Sequence, residues 1–263
     1  MKLGKGRRQS EYRRRTMSAS ASASVGNRTS RSLVYGFTLL RQFTAEEPVR
    51  GIAELAEVLN VSRPTAHRYA STCLELGYLE QAPLRRYRLA RRAAEPGLAM
   101  LGSLALVRRA RPILRELRQS TGRTVSLAIL DCADVLYLQR LCGFAHGQYE
   151  LEKSLGTGSR RPARRTAAGK ALLAALGESE REQPQGSDQV GLVLDDGGLR
   201  RDARGLAVAI MAQGEPTSAI EITVPRANMS AEQLTAELGE PLRAAASALQ
   251  AALGNRTQPC PAG

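Results

Sequence analysis

From residue 31 onward the apolar positions fall into helical spacings. In "RSLVYGFTLLRQF", Leu33, Phe37 and Leu40 recur at i, i+4 and i+7, which predicts a helix burying that face, with Ser30 or Ser32 as its cap. Ile52, Leu55, Ala56 and Leu59 mark a second helix, closed by Asn60, whose side chain tolerates a left-handed backbone. Ser62 then serves as an N-cap, Pro64 sits in the first turn of a third helix, and Gly77 stops that helix after Leu76. Within it Ala66, Ala70, Cys73 and Leu74 fall on one side, and Pro64, Thr65, Arg68, Ser71 and Thr72 on the other, with Arg63 and His67 flanking near the start. The packed face is small and apolar, the open face polar and cationic. "YLEQAPLRRYRLA" reads as two short strands around a turn at Pro83, Arg86 and Arg88 alternating with Tyr87 and Leu89. Helix, helix, short turn, helix and basic hairpin predict a winged helix-turn-helix. Ser62, Arg63, Thr65, His67 and Arg68 are then expected at base edges in a major groove, and Arg85 and Arg86 at phosphates.

Residues 95–111 predict a further helix with Leu98, Leu101, Leu104 and Ala105 on one side, broken or restarted at Pro112 and continued to Gly122. It reads either as a linker and dimerisation surface or as a packed helix of a second domain. Beyond Gly122 the texture is mixed. "TVSLAILDCADVLYLQRL" suggests a hairpin with an Asp-Cys-Ala-Asp turn, "TAAGKALLAAL" a helix, "GLAVAIMAQGEPTSAIEITVP" two strands, and the chain from Ser230 a last helix. The fold class expected is α+β. Residues 1–30 are expected to be a disordered basic tail, 31–92 the winged helix-turn-helix domain, 93–120 linker helices, 121–252 a sensory and oligomerisation domain, and 253–263 a tail.

Charge sharpens this picture. The 263 residues carry a formal net charge of +13, which predicts attraction to polyanions, with double-stranded DNA foremost. Seven of the first fifteen residues are Lys or Arg. No apolar run approaches the ~18 residues of a membrane span, and no secretion signal is evident, so a cytoplasmic location without membrane association is expected. Cys73, Cys132, Cys142 and Cys260 lack the spacing of metal ligands, and His67 and His146 are the two histidines. No metal and no cofactor is expected, and Cys73 and Cys132 read as small core residues. "RRTAAGKA" fails as a phosphate loop, because Arg164 stands where its first glycine belongs and Ala171 where Ser or Thr would hold magnesium. "GTGSRR" fails as a dinucleotide fingerprint, and Lys170 reads as structural or surface-exposed. No enzyme is expected. The alternative to a DNA-binding regulator is a small-anion binding module whose basic surface is not used for specific DNA binding.

"RSLVYGFTLLRQF", "GIAELAEVLNVSRPTAHRYASTCLELGYLEQ" and "RRYRLA" resemble the N-terminal domain of IclR-type bacterial transcriptional regulators. "GSRRPARRTAAGKALLA", "VLDDGGLRRDARGLAVAI" and "SAIEITVP" resemble that family's C-terminal domain. The resemblance implies a GAF-like effector domain, a homodimer or homotetramer, a pseudo-palindromic operator, and control of a catabolic operon by a small organic acid, aromatic acids among them. It implies a pocket lined by Thr166, Ala167, Ala168 and Gly169, by Asp195 and Asp196, and by Gly205, Glu221 and Thr223. Backbone N–H groups at a helix start suit a carboxylate, in accord with that placement. Two departures stand out. The segment between "LLAAL" and "LDDGG" is shortened to "GESEREQPQGSDQVG", which either opens the pocket or leaves it unable to bind. And Glu221 replaces a small neutral residue. It is either a pocket-facing carboxylate, repelling an organic acid unless Arg160 or Arg161 intervenes, or a solvated side chain on an edge strand.

Overall fold

The computed structural model describes residues 29–44, 47–145, 156–177, 191–212 and 217–254. The expected tails, apart from residues 29–30 and 253–254, and residues 178–190 of the shortened segment lie outside them. The chain divides into two compact units, Met1–Leu101 and Gly102–Gly263.

In the first unit α1 (Arg31–Leu40), α2 (Ile52–Leu59) and α3 (Arg63–Glu75) are followed by an antiparallel hairpin, β1 (Leu79–Ala82) and β2 (Arg86–Leu89), and by the start of α4 (Glu95–Ser103). Gly51 N–H donates to the Glu54 carboxylate at the start of α2, and Asn60 ends that helix with φ 51°. Leu39, Phe43, Leu55, Leu59, Ala70, Cys73, Leu79 and Tyr87 form the core. The face of α1 is not the one its spacing predicts: Leu33 and Phe37 are 61% exposed, and Leu39 is fully buried. α1 is apolar nearly all round, so a period of 3.6 fits several faces, and only the position of the other helices selects one. Leu74, placed on the packed side of α3, is likewise exposed.

The second unit contains α5 (Ala105–Thr121), β3 (Thr124–Asp131), β4 (Asp134–Leu141), β5 (Arg160–Pro162), α6 (Ala167–Ala175), β6 (Leu192–Asp196), β7 (Ala203–Ile210), β8 (Ser218–Pro225) and α7 (Ala231–Gly254). The strands form one six-stranded antiparallel sheet in the order β5-β4-β3-β8-β7-β6. α6 packs on one face against Ala128, Val135, Tyr137, Val193, Ala207 and Ala219. α5 and α7 pack together on the other, where Ile220, Ile222 and Val224 are fully buried. The helix break falls at Leu104, which is extended (ψ 114°), and not at Pro112. Gly102 and Ser103 are weak helix formers, whereas Pro112 lies on the exposed side of α5, opposite a buried stripe of Leu106, Ala110, Leu114 and Leu117. Of the two readings left open for this stretch, linker or packed helix of the second domain, the buried stripe of α5 agrees with the packed helix. Cys132 occupies the β3–β4 turn with φ 61° and is partly exposed, so it is not a core residue.

Burial predicts a contrast within α1. Leu39→Ala is expected to destabilise the first unit by ~2–5 kcal/mol, and Leu33→Ala by no more than ~0.5 kcal/mol. Urea denaturation of the two variants followed by circular dichroism checks the assignment of the faces.

Candidate functional site

Two regions bring chemistry-bearing side chains together, one in each unit. In the first, Ser62 caps α3 by accepting from Thr65 N–H at 3.4 Å, and its hydroxyl lies 2.9 Å from that of Thr65. Arg63, His67 and Arg68 project from the exposed side of α3, opposite Ala66, Ala70 and Cys73. The His67 ring lies 3.4 Å from the Ser71 hydroxyl, and the Arg68 guanidinium 5.8 Å from the Tyr69 ring centroid. Tyr69 stacks on Tyr35, which fastens α3 to α1. The tip of the hairpin turns through Leu84 and Arg85, both at positive φ, and leaves Leu84 91% exposed. Arg85 is exposed beside it.

Arg86 differs from its neighbour. Its guanidinium donates to the Glu54 carboxylate at 3.0 and 3.2 Å and to the Val49 carbonyl at 3.0 Å. Glu54 also accepts from Gly51 N–H, so this one carboxylate ties β2 to the start of α2. A phosphate contact at Arg86 therefore competes with this pair, in which both side chains stay more than 40% exposed, whereas Arg85 has no such partner to displace among the described residues.

In the second unit a small cleft of about 40 Å³, open to solvent, is lined by Tyr137, Arg140, Thr166, Asp195, Leu199, Arg200, Ala203, Arg204, Gly205, Glu221 and Thr223. Among the residues expected from the resemblance, Thr166, Asp195, Gly205, Glu221 and Thr223 meet here. Ala167, Ala168 and Gly169 are buried and do not line the cleft. Asp196 points elsewhere, pairing with Arg204 at 2.8 Å and Arg226 at 3.4 Å. Thr166 caps α6 through Gly169 N–H at 3.0 Å. A methyl group at Gly169 would overlap the backbone of Ala163, so this glycine answers a packing need. Lys170 pairs with Asp195, which also accepts from Gly198 N–H at 3.0 Å, joining α6 to the end of β6.

Glu221 lies on β8, an inner strand between β3 and β7, and is 5% exposed; it is not a solvated residue at an edge. Its Oε2 accepts from the Tyr137 hydroxyl at 2.8 Å. Burial raises its pKa above the ordinary carboxyl value, opposed by the Tyr137 hydrogen bond, the Arg140 charge and the Ala168 amide. Burial, and then Glu221, hold the Tyr137 phenol well above its ordinary value. The arginine beside this carboxyl is Arg140, not the expected Arg160 or Arg161. Arg160 pairs with Asp131, and neither lines the cleft. Arg140 is 9% exposed and donates to Ser126 Oγ at 2.8 Å, and its Nε has no partner among the described residues.

Strand register explains why Tyr137 and Arg140 escape a reading by alternation. Ser126 is paired with both Arg140 and Glu221, so one row runs Arg140–Ser126–Glu221 across three strands. Leu127 pairs with Gln139 but Ala128 with Tyr137, so Leu138 is the extra residue of a β-bulge. The bulge brings Tyr137 and Arg140, three positions apart, to the same side.

Comparison with known proteins bears on both units. The model of the IclR helix-turn-helix domain matches residues 32–83, and the model described as bacterial transcriptional regulator IclR C-terminal matches residues 98–187. The second match stops before β6–β8, which supply Asp195, Gly205, Glu221 and Thr223. The HTH-type transcriptional regulator XynR of Escherichia coli K12 is 31% identical over 143 residues, 54% of this chain and 55% of that protein. The chain thus spans about half the length of such curated relatives. A crystal structure described as a transcriptional regulator from Rhodococcus sp. RHA1 superposes with a TM-score of 0.68 at 26% identity, covering 87% of this chain and 100% of that one. An IclR homologue from Microbacterium hydrocarbonoxydans, solved with 4-hydroxybenzoate, has the same fold (TM-score 0.67, 23% identity, 84% and 98% covered).

Two outcomes are expected. Gly169→Ala is predicted to lower stability by about 1–3 kcal/mol or more, because α6 must move off Ala163; thermal denaturation measures it. Glu221 holds its proton to higher pH when folded than when unfolded, so its contribution to stability falls as pH rises from the ordinary glutamate pKa, about 4.3, through the raised folded value. Glu221→Gln removes that dependence. Its melting temperature relative to the parent protein is expected to rise across that window, as a pH series of melts would record.

Proposed function

Since the chain belongs to the IclR family of bacterial transcriptional regulators, we propose that it binds operator DNA sequence-specifically and that a small molecule in the cleft of the second unit modulates this binding. The observation that carries the reading is the division of α3: Ala66, Ala70 and Cys73 are buried, while Arg63, His67 and Arg68 are presented together on the open side. A helix so divided packs on a core and offers donors to a major groove, where arginine pairs bidentately with guanine. Arg85 at the hairpin tip adds affinity that is independent of sequence and weakened by salt. A homodimer or homotetramer on a pseudo-palindromic site accords with this arrangement. The protein acts in the cytoplasm, where its DNA lies; among the described residues no helix is long and apolar enough to cross a membrane. For the effector, Arg140, which lines the cleft with its Nε unpartnered among the described residues, favours an organic acid, whereas Arg200 and Arg204 are paired with Asp202 and Asp196. The 4-hydroxybenzoate complex of the Microbacterium homologue supports an aromatic one.

An electrophoretic shift on the DNA upstream of the protein's own gene, with random duplex as competitor, tests the reading. A competitor-resistant shift is expected, and its loss to random DNA would favour a small-anion binding module with an unspecific basic surface. Arg68→Ala is expected to reduce discrimination between operator and random DNA by ~1–3 kcal/mol. Arg85→Ala should weaken both alike and reduce the slope of log affinity against log salt by about one. Arg86→Ala is expected to act chiefly through the stability of the hairpin. Competition shifts over a salt series separate the three.

A further inference from the structure

The start of α6 is built to receive an anion, and a protein carboxyl group already stands there. Thr166 satisfies the Gly169 amide, while the Tyr137 hydroxyl donates to Glu221, whose carboxyl group lies beside Ala167 in the first turn of the helix. Gly205 makes the space: a Cβ at that position would lie 2.9 Å from Glu221 Oε1 and 3.0 Å from Ala167 Cβ. Arg140, nine-tenths buried, faces the same cleft with its Nε unpartnered among the described residues. A helix N-terminus accepts negative charge from a ligand or from the protein itself. Here the protein supplies it.

We propose that Glu221 is a resident occupant of the anion position at the start of α6, and that it sets the ligand class of the cleft. A ligand meets Glu221 with a hydrogen-bond donor, a hydroxyl or ammonium group, and carries its own anionic group toward Arg140. Hydroxy acids and zwitterions satisfy both ends. A plain carboxylate seated on the helix start does not, since it would displace or face a buried carboxyl group with Asp195 also in the wall. The inference rests on the reading of the cleft as an effector site.

Melts of the full chain with acetate, benzoate and 4-hydroxybenzoate test it, with chloride at equal ionic strength as the control. Acetate and benzoate are expected to leave the parent protein unmoved and to raise the melting temperature of Glu221→Ala by about 2–4 °C as their concentration exceeds the dissociation constant. Glu221→Gln, which keeps the volume and still accepts from Tyr137, should respond more weakly but above the parent. The parent should prefer 4-hydroxybenzoate to benzoate, and Glu221→Ala should lose that preference. Equal responses of parent and Glu221→Ala to acetate, or none in either variant, overturn the occupancy. An equal response of the parent to benzoate and 4-hydroxybenzoate overturns the donor requirement. Should Glu221→Ala not fold, the Glu221→Gln comparison decides alone. The operator shift is read separately. If acetate stabilises Glu221→Ala without altering its shift, the anion position stands and the effector reading falls. If no sequence-specific shift exists for the parent, the regulator reading falls and the anion result is unaffected.

Discussion

The close approach of α6 to the sheet is the constraint on which the second unit depends. A helix lies that near only when its contact face is almost without side chains, and Ala167, Ala168, Gly169, Ala171 and the neighbouring Ala163 provide such a face. The approach delivers the helix start to the floor of the cleft and seals Glu221 from water on one side. It also places Lys170 over Asp195, an ion pair that fixes the end of β6 and with it the turn to Gly198. Packing and chemistry are therefore inseparable here. The same alanines that fill the core hold the backbone amides in position.

A second economy governs the arginines. The excess of positive charge suggests a surface covered in free cations, yet much of it is engaged within the protein. Arg86 bridges Glu54 and the Val49 carbonyl, Arg109 donates to the Leu253 carbonyl at the end of α7, and Arg204 joins Asp196 and the Met229 carbonyl. Guanidinium groups suit these tasks because their planar fork donates in several directions at once. The consequence for nucleic-acid binding is that net charge overstates the number of phosphate contacts. Position on the fold, as with Arg85 against Arg86, separates a cation that faces solvent from one that holds two elements together.

The two units differ in how far local pattern reaches. In the first, caps and breakers are adjacent in sequence to what they control, so Asn60, Ser62, Pro64 and Gly77 bound α2 and α3 before any tertiary contact is considered. In the second, the cleft joins residues as far apart as Tyr137 and Glu221, and one inserted residue in β4 reverses the alternation that a strand reading relies on. Thr166, Asp195, Gly205, Glu221 and Thr223, named from the resemblance, line one cleft, because their motifs sit on regular elements. The resemblance missed Arg140 and put Asp196 in the wall, because a bulge and a competing pair of arginines decide those directions.

What the sequence determined by itself, then, is the helices and hairpin of the first unit, most strands of the second, the polar face of α3 and the failure of "RRTAAGKA" as a phosphate loop, all of which follow from spacing, capping and residue type along a few turns of chain. Only the tertiary structure decided which face of α1 is buried, that Arg86 pairs with Glu54, and that Glu221 lies buried beside the start of α6 on an inner strand. These depend on the relative placement of segments distant in sequence, where burial and pairing set the energy of a side chain and local periodicity carries no information about them.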